Sequence, residues 1–383
     1  MINNASSHQN FKTRFTSFWA LLILLIIFSC ESQIENPIEK ALQSNNEKIK
    51  KVVENIEQHE IQILFSEVIK DEDQISFLDF SYQVVDSNYF YPASTVKFPI
   101  ALLALEKLGQ TKGLNIDTPF RVEGDSLTTS FREEINKLFA VSDNLAYTRL
   151  FEYLGKDYIN DHLESLGITS RISHRFSVPN PYDLETKPIH FFNEDSAIYT
   201  TKSYVSKNLK PLELNRIKKG EGYIENDSLI SHPMDFSLKN YLPLSSLHNM
   251  MKQFVFPEAF GQDKQFDLSE THKEFFLNAM RNLPFEVGYD RTEYYDSYVK
   301  FLIFGDTKAP IPDSVKIYNK VGYAFGYLTD CAYIVNEKTN KEYIITATIH
   351  VNENKIFNDD NYEYESIGIP FLAELGRELV LNN

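Results

Sequence analysis

The chain has 383 residues, of which 43% are hydrophobic and 24% charged, enough to bury a substantial globular core. Its 54 acidic residues outnumber its 38 basic residues, and the formal net charge is -16. Because a nucleic-acid-binding protein needs a basic surface, this charge argues against a nucleic-acid partner.

The N-terminus is typical of an export signal. Lys12 and Arg14 precede an apolar run over residues 18–28, which is followed by a serine and Cys30. A charged start and a short apolar stretch are typical of a secretory signal peptide, and the run is too short for a comfortable membrane span. We therefore expect residues 1–29 to be a signal peptide.

An apolar run that ends in a small residue and Cys30 resembles a bacterial lipoprotein signal. The resemblance implies cleavage before Cys30, lipidation of its thiol, and anchoring to a periplasm-facing membrane of the cell envelope. An uncleaved anchor with an incidental cysteine is the alternative. If Cys30 is lipidated, Cys331 is the remaining cysteine and no intramolecular disulfide can form. The polar residues 30–46 then form a tether.

Hydrophobic periodicity predicts elements of one sheet at both ends of the chain. The predicted elements, in chain order, are a helix over 47–58, strands over 61–69 and 75–85, strands over 315–322, 328–336 and 343–351, and a helix over 370–381. Strands from both ends must then meet in one sheet. We expect an α/β domain from 47–115 and 295–383, with a mostly helical domain, 116–294, inserted between them.

The inserted domain contains a long stretch, about 178–245, with weak periodicity and many Tyr, Asn and Pro residues. A stretch of this kind is either a functional lid or a surface loop. The sequence leaves both interpretations open.

A candidate nucleophile stands in Ser94-Thr95-Val96-Lys97, just before an apolar run over 98–108 that ends at Gly109. This pattern places Ser94 at the start of a helix, where free N–H groups and the positive end of the dipole favour an oxyanion. The spacing of three residues puts Ser94 and Lys97 on one helical face.

Two further motifs follow in the chain. Ser142-Asp143-Asn144 precedes a helical pattern, and a purely structural interpretation of it is a helix N-cap. Lys320-Val321-Gly322 lies in a predicted strand, and a purely structural interpretation of it is an ordinary strand with a turn glycine. Chance copies also occur, at Ser297-Tyr298-Val299-Lys300 and Lys218-Lys219-Gly220, so the order and setting of the three motifs carry the argument.

The ordered set S-x-x-K, S-D-N and K-x-G resembles the class A β-lactamases and their penicillin-binding relatives, over most of the chain after about residue 42. The resemblance implies an α+β fold with a five-stranded antiparallel sheet flanked by helices. It also implies that Ser94 is the acylated nucleophile and Lys97 a candidate base. Ser142 and Lys320 would relay the proton to the leaving nitrogen.

The same resemblance implies the substrate-binding residues. Asn144 would hold the substrate amide carbonyl, and the backbone N–H groups of Ser94 and Tyr323 would form the oxyanion hole. Gly322 and Val321 complete the third motif. Val321 departs from the family pattern, which has a hydroxyl residue that binds the substrate carboxylate at this position.

Other side chains offer a hydroxyl in place of the one that Val321 lacks, namely Tyr323, Tyr327 or Thr329. A second departure is Ser177, which stands where class A β-lactamases carry the glutamate that activates the deacylating water. Asp183 and Glu185 follow a little downstream. Without such a carboxylate, the acyl-enzyme would persist.

We therefore expect a serine hydrolase that cleaves a β-lactam or related amide through an acyl-serine intermediate. The alternatives are a penicillin-binding DD-peptidase or amidase acting on cell-wall peptides, and a binding or sensor lipoprotein without turnover. We expect no cofactor and no metal site, because the nine histidines are scattered without ligand spacing. The expected partners are a small substrate and, through Cys30, the membrane, and we expect a monomer.

Overall fold

In the computed structural model, the described residues are 35–72, 74–194 and 196–382. The predicted signal peptide and Cys30 lie outside them. The α-helices in these ranges are α1 (Pro37–Leu42), α2 (Glu47–Val53), α3 (Lys97–Gln110), α4 (Phe131–Ala140), α5 (Asn144–Leu154), α6 (Lys156–Ser165), α7 (Leu244–Val255), α8 (Glu270–Arg281) and α9 (Ile369–Val380).

The strands of the same ranges include five long ones, at the two ends of the chain. In chain order the strands are β1 (Gln62–Asp71), β2 (Gln74–Tyr82), β3 (Phe120–Val122), β4 (Ile189–Asn193), β5 (Ser196–Thr200), β6 (Lys218–Lys219), β7 (Gly222–Glu225), β8 (Ser228–Ile230), β9 (Met234–Asp235), β10 (Val315–Ala324), β11 (Tyr327–Asn336), β12 (Lys341–His350) and β13 (Ile356–Phe357).

The central sheet confirms the predicted five-stranded antiparallel architecture. Its order is β10-β11-β12-β1-β2, and every neighbouring pair is antiparallel. The β1–β12 pair joins the two ends of the chain, with Phe65 opposite Ile345. β10 therefore forms one free edge of the sheet.

Two apolar cores cover the two faces of this sheet. One contains buried residues of α1, α2 and α9, and the other contains buried residues of α3, α4 and α5. Consecutive residues of β12 divide between them, because Ile344 packs in the helical-domain core and Ile345 in the other. This period-two alternation is what a strand buried on both faces requires. Residues Asn36–Asn383 form one compact unit.

The N-terminal elements differ from the prediction. Part of the predicted tether is folded, because Ile38, Ala41 and Leu42 of α1 are buried in the core beside α9. The helix predicted over 47–58 ends at Val53, since a turn over 54–60 leads the chain into β1. The spacing of Ile38, Ala41 and Leu42, which places them on one helical face, could have predicted α1 from the sequence.

The long stretch at about 178–245 also contains short strands. β4 and β5 form a three-stranded sheet with β3, and β7 and β8 form another with β13. These small sheets give the inserted segment its own backbone pairing. The predicted domain boundaries themselves stay predictions.

Candidate active site

Ser94 lies in a short 3-10 turn, Ala93–Val96, that leads directly into α3. The turn is held by Thr95, whose N–H and hydroxyl donate to the carbonyl of Pro92 at 3.0 and 2.7 Å. Ala93 has a φ of 46°, a left-handed conformation that a non-glycine residue adopts at a cost. The sequence prediction of Ser94 at a helix start is confirmed.

The side-chain nitrogen of Lys97 contacts residues of both the first and the second motif. This Nζ lies within hydrogen-bond distance of Ser94 Oγ at 2.9 Å, Ser142 Oγ at 3.2 Å and Ser142 O at 2.5 Å. A further bond joins Nζ to Asn144 Oδ1 at 2.7 Å. The side chain is fully buried, and none of these partners is a carboxylate.

Burial lowers the pKa of Lys97 to about 7, although the charge of Asp143 acts in the opposite direction. Burial has this effect because it disfavours the charged form of an amine. A substantial fraction of Lys97 is therefore neutral near pH 7. A neutral amine 2.9 Å from Ser94 Oγ is placed to accept its proton.

The second motif supplies both a helix cap and a hydroxyl that lies close to Lys97. Asp143 caps α5 by accepting a hydrogen bond from Ala146 N at 2.7 Å. Ser142, with a φ of 57°, turns its hydroxyl toward Lys97 instead. The N-cap interpretation thus applies to Asp143 and leaves Ser142 available for chemistry.

Lys320 approaches the same hydroxyl from β10. Its Nζ donates to Ser142 Oγ at 2.8 Å and to Val321 O at 2.8 Å. Burial, and next the charge of Lys97, lower its pKa well below the ordinary value, while Asp330 acts in the opposite direction. The Ser142 hydroxyl therefore lies between two lysine amines and can pass a proton from one group to another.

Gly322 brings β10 into contact with the turn that carries Ser94. A Cβ at Gly322 would lie 2.6 Å from Pro92 O and 2.8 Å from the backbone nitrogens of Ser94 and Thr95. Only glycine allows this close approach of two backbones.

The hairpin after Gly322 also orients the N–H of Tyr323. Phe325 and Gly326 both have positive φ, as in a type I′ turn, and Ala324 pairs with Tyr327. The pair that flanks such a turn is hydrogen-bonded, so the N–H of Tyr323 points away from β11 to the free edge of the sheet. This orientation is the one that an oxyanion hole with Ser94 N requires.

Val321 does not face the cleft, contrary to its expected place among the substrate-binding residues. It is 1% exposed and packs in the apolar core beside α9. The reason is strand alternation, which sends Val321 to the face opposite Lys320. The side chain of Val321 therefore cannot bind a substrate group directly.

Two of the alternative hydroxyl donors are engaged elsewhere. The Tyr327 hydroxyl donates to Glu60 Oε2 at 2.9 Å, and the Thr329 hydroxyl bonds that of Thr348 at 2.7 Å. Tyr323 is 49% exposed, and its ring contacts those of Phe301 and Tyr364 at 6.1 and 5.5 Å, on the face of β10 that also carries Val321.

Ser177 lies in the site, as the sequence comparison with the family pattern predicted. Its hydroxyl accepts a hydrogen bond from Asn144 Nδ2 at 3.0 Å. Phe176, which the sequence did not single out, places its ring 5.5 Å from Lys97 Nζ. The segment is anchored by Arg175, which binds the buried carboxylate of Glu152 at 2.6 and 3.0 Å.

The two downstream acids bond to other groups. Asp183 accepts from the backbone N–H of Glu185 at 3.1 Å, and the Glu185 carboxylate bonds the hydroxyl of Ser203. Asn144 thus contacts Ser177, and Lys97 contacts Ser94 and Ser142, rather than either carboxylate.

The chance copies of the motifs lie outside this network. Ser297 donates to the carbonyl of Thr307, and Lys300 Nζ donates to Asn319 Oδ1 at 2.7 Å. Lys219 pairs with Glu60 at 2.8 Å. The copies therefore have different hydrogen-bond partners from those of the three motifs.

A metal site is not indicated by the residues in the described ranges, where no group of three or more His, Cys, Asp or Glu side chains converges. Cys331 is a buried free thiol.

The comparisons agree with this geometry. Residues 45–221 match the model of the β-lactamase enzyme family. No curated protein matches the chain.

Solved structures share the fold at low sequence identity. The structure of L2 complexed with relebactam has a TM-score of 0.50 and 12% identity, covering 90% of this chain and 97% of that one. The β-lactamase of Desulfarculus baarsii has a TM-score of 0.50 and 11% identity, with coverage of 90% and 97%. That of Sphaerobacter thermophilus has a TM-score of 0.50 and 12% identity, with coverage of 90% and 96%.

At these identities the structural likeness establishes the fold alone. The match to the family model extends over residues 45–221. The described residues therefore have the β-lactamase fold, and residues 45–221 match the β-lactamase enzyme family.

Proposed function

We propose that this chain is a serine hydrolase in which Ser94 forms an acyl intermediate with a β-lactam or a related amide. One observation carries the proposal: a buried Lys97 amine, with a pKa of about 7, lies 2.9 Å from Ser94 Oγ. A serine hydroxyl becomes a nucleophile when an adjacent base accepts its proton.

The acylation step follows from the contacts. Neutral Lys97 takes the Ser94 proton as Oγ attacks the carbonyl carbon, and the carbonyl oxygen becomes an oxyanion between Ser94 N and Tyr323 N. The C–N bond then breaks. The proton passes from Lys97 through the Ser142 hydroxyl, 3.2 Å from Lys97 Nζ, to the leaving nitrogen. Lys320 fixes that hydroxyl at 2.8 Å.

Deacylation requires a water and a base. Asn144 Nδ2 contacts the hydroxyl of Ser177. A hydroxyl is a much weaker base than a carboxylate. Activation of the water then falls to Lys97. We propose that deacylation is slower than acylation.

Slow deacylation favours a second candidate, a penicillin-binding peptidase, amidase or sensor that β-lactams trap. Three assays separate these functions. A β-lactamase turns over nitrocefin many times per molecule, and a peptidase releases D-alanine from a D-Ala-D-Ala peptide. A sensor shows a single acylation at most. The control is Ser94→Ala, which should be inactive in every assay, and full activity of this variant would overturn the assignment of the nucleophile.

We also propose export and lipidation at Cys30, on the sequence pattern of residues 12–30. In the ranges 35–72, 74–194 and 196–382, no helix is long and apolar enough to cross a bilayer. The test is incorporation of labelled palmitate in cells, which Cys30→Ser should abolish. Equal labelling of this variant would contradict the proposal.

A further inference from the structure

A cavity of about 470 Å³ lies at the C-terminal ends of α3 and α5, away from the three motifs. Lys107 of α3 and Leu154 of α5 line it, and we call it the distal cavity. Lys97 and Lys107 lie ten residues apart on α3, which corresponds to about 15 Å along the helix axis. The distal cavity is therefore separate from the proposed active site. Its volume is typical of sites for small molecules.

Tyr204 lines the distal cavity and is held in a fixed position. Its hydroxyl donates to Asp157 Oδ2 at 3.0 Å, and its backbone N–H donates to Thr186 Oγ1 at 2.9 Å. The residue is nevertheless 50% exposed. Tyr199, which is also about half-exposed, lines the same cavity. An exposed aromatic ring that is anchored at its tip can bind the apolar face of a ligand with little further loss of conformational freedom.

The carboxylate that anchors Tyr204 is itself buried, because Asp157 is 9% exposed. Its second donor is the backbone N–H of Lys207, which lies 3.1 Å from each oxygen. In the part of the chain that the structure describes, no cation lies within ion-pair distance of Asp157. Because a carboxylate has about four positions for accepting hydrogen bonds, Asp157 can accept further bonds from a ligand in the distal cavity.

The charges on the wall of the distal cavity balance. Four side chains have no ion-pair partner among the described residues, namely Lys107, Lys202, Asp157 and Asp161. Burial lowers the pKa of Lys107 to about 8, so its amine is still mostly charged at neutral pH. Lys107 Nζ donates to the carbonyls of Tyr153 and Leu154 at 2.7 and 3.5 Å, which leaves one of its three N–H groups for a ligand. The remaining carboxylate of the wall, Glu152, is paired with Arg175 at 2.6 Å.

We propose that the distal cavity binds a neutral sugar, with a pyranose ring stacked on Tyr204 and with sugar hydroxyl groups bonded to Asp157 and Lys107. One face of a pyranose is formed by C–H groups and matches an aromatic ring, and each hydroxyl both donates and accepts hydrogen bonds. A cationic ligand meets repulsion from the two lysines, and an anionic ligand meets repulsion from the two aspartates. The proposal does not depend on the chemistry of Ser94.

Titration of the protein with maltose and with N,N′-diacetylchitobiose tests the proposal. Binding is followed by the chemical shifts of backbone amides in NMR spectra. We expect at least one of these disaccharides to shift amide signals saturably, and Ser94→Ala to bind it as tightly as the unaltered protein does. Absence of a saturable shift with both sugars would overturn the proposal. Weaker binding by Ser94→Ala would place the sugar in the active site and would also overturn it.

Variants assign the sugar to the distal cavity. Tyr204→Ala removes the ring and should weaken sugar binding by roughly three- to tenfold. Tyr204→Phe keeps the ring and loses the bond to Asp157, so its loss of affinity should be smaller. The matched control is Tyr182→Ala, because Tyr182 is 42% exposed and is not part of the cavity wall. This control should bind the sugar normally. Equal affinities of Tyr204→Ala and Tyr182→Ala would refute the inference.

Three monosaccharides test whether the ligand is neutral. Glucose is uncharged, glucosamine carries an ammonium group and glucuronate carries a carboxylate. Each competes with the bound disaccharide, and we expect glucose to displace it at least as well as the two charged sugars. Better displacement by glucosamine would indicate a site for ammonium groups, and better displacement by glucuronate would indicate a site for anions. Either result would contradict the proposal.

Discussion

Lys97 is the residue on which the proposed chemistry depends. Its amine is desolvated by burial and contacts Ser94, Ser142 and Asn144, so its proton is lost near pH 7 rather than near pH 10. A lysine in water would be charged at neutral pH and could not act as a base.

The acylation rate should therefore rise with pH through about 7, the pKa of Lys97. The sign follows because the base form is the neutral amine, which is scarce below this pKa and dominant above it. The measurement is the rate of Ser94 acylation between pH 5.5 and 8.5. Lys97→Met should lower the rate by roughly 100-fold or more and remove this dependence. A flat profile in the unaltered protein would contradict the role of Lys97.

Ser177 should limit the lifetime of the acyl-enzyme. Ser177→Glu places a carboxylate beside Asn144 Nδ2, where the serine hydroxyl now lies at 3.0 Å. A positioned general base contributes about 10²–10⁴-fold, so we expect deacylation to accelerate by at least roughly tenfold. The measurement is the decay of the acyl-enzyme mass.

The matched control is Ser177→Gln, which has the size of glutamate without its charge. It should leave the decay slow. Equal acceleration by both variants would show that space for water, rather than a missing base, sets the lifetime.

At the scale of elements, the contact between β10 and the turn before α3 assembles the site. Gly322→Ala would force a methyl group within 2.8 Å of Ser94 N and so separate the two backbones. A displacement of about 1 Å can cost about 100-fold in rate, and we expect the acylation rate to fall by at least that amount.

The control for Gly322→Ala is Gly109→Ala in α3, where the nearest atom to an added Cβ is at 3.5 Å. This variant should acylate at the normal rate. If Gly322→Ala also acylated normally, the strand would not be a fixed part of the site.

The two faces of β10 contact different parts of the protein. Lys320 contacts Ser142 on one face, and Val321 packs in the core beside α9 on the other. Val321→Thr keeps the volume but buries a hydroxyl in an apolar core. It should lower the free energy of unfolding by about 1–3 kcal/mol without improving acylation by carboxylate-bearing β-lactams. Urea denaturation measures the loss. Unchanged stability with faster acylation would mean that the side chain reaches the cleft.

The sequence predicted the strands of the sheet and the residues around Ser94 well, since alternation and motif order are local signals. The predicted strand over 75–85, for example, corresponds to β2, although β2 ends at Tyr82. The burial of Val321 in the core beside α9 follows from strand alternation, which the motif alone does not contain.

At the scale of the whole molecule, buried histidines tie stability to pH. Burial lowers the pKa of His174 and His248 to about 3 and that of His350 to about 4. Between these values and 6.5 the unfolded chain binds more protons than the native one, so stability rises with pH. Asp330 acts in the opposite direction in this range, because burial raises its pKa to about 6. A hydrogen bond to Glu106 raises the pKa of His162, so the stability that His162 contributes is lost only as the pH rises above 6.5.

Because the three histidines outweigh Asp330, we expect the free energy of unfolding to increase from pH 4 to pH 6.5. Each uncompensated histidine contributes a slope of about 1.4 kcal/mol per pH unit. Urea denaturation at several pH values measures the slope. A free energy that stays constant or falls over this range would contradict the neutral, buried state of these side chains.

The central claim is that Ser94 is an activated nucleophile, and intact-protein mass spectrometry of residues 31–383 with a β-lactam tests it most directly. We predict a mass increase equal to one drug molecule in the unaltered protein, decaying slowly, and no increase in Ser94→Ala. An equal adduct on Ser94→Ala, or no adduct on the unaltered protein with any β-lactam, would contradict the claim.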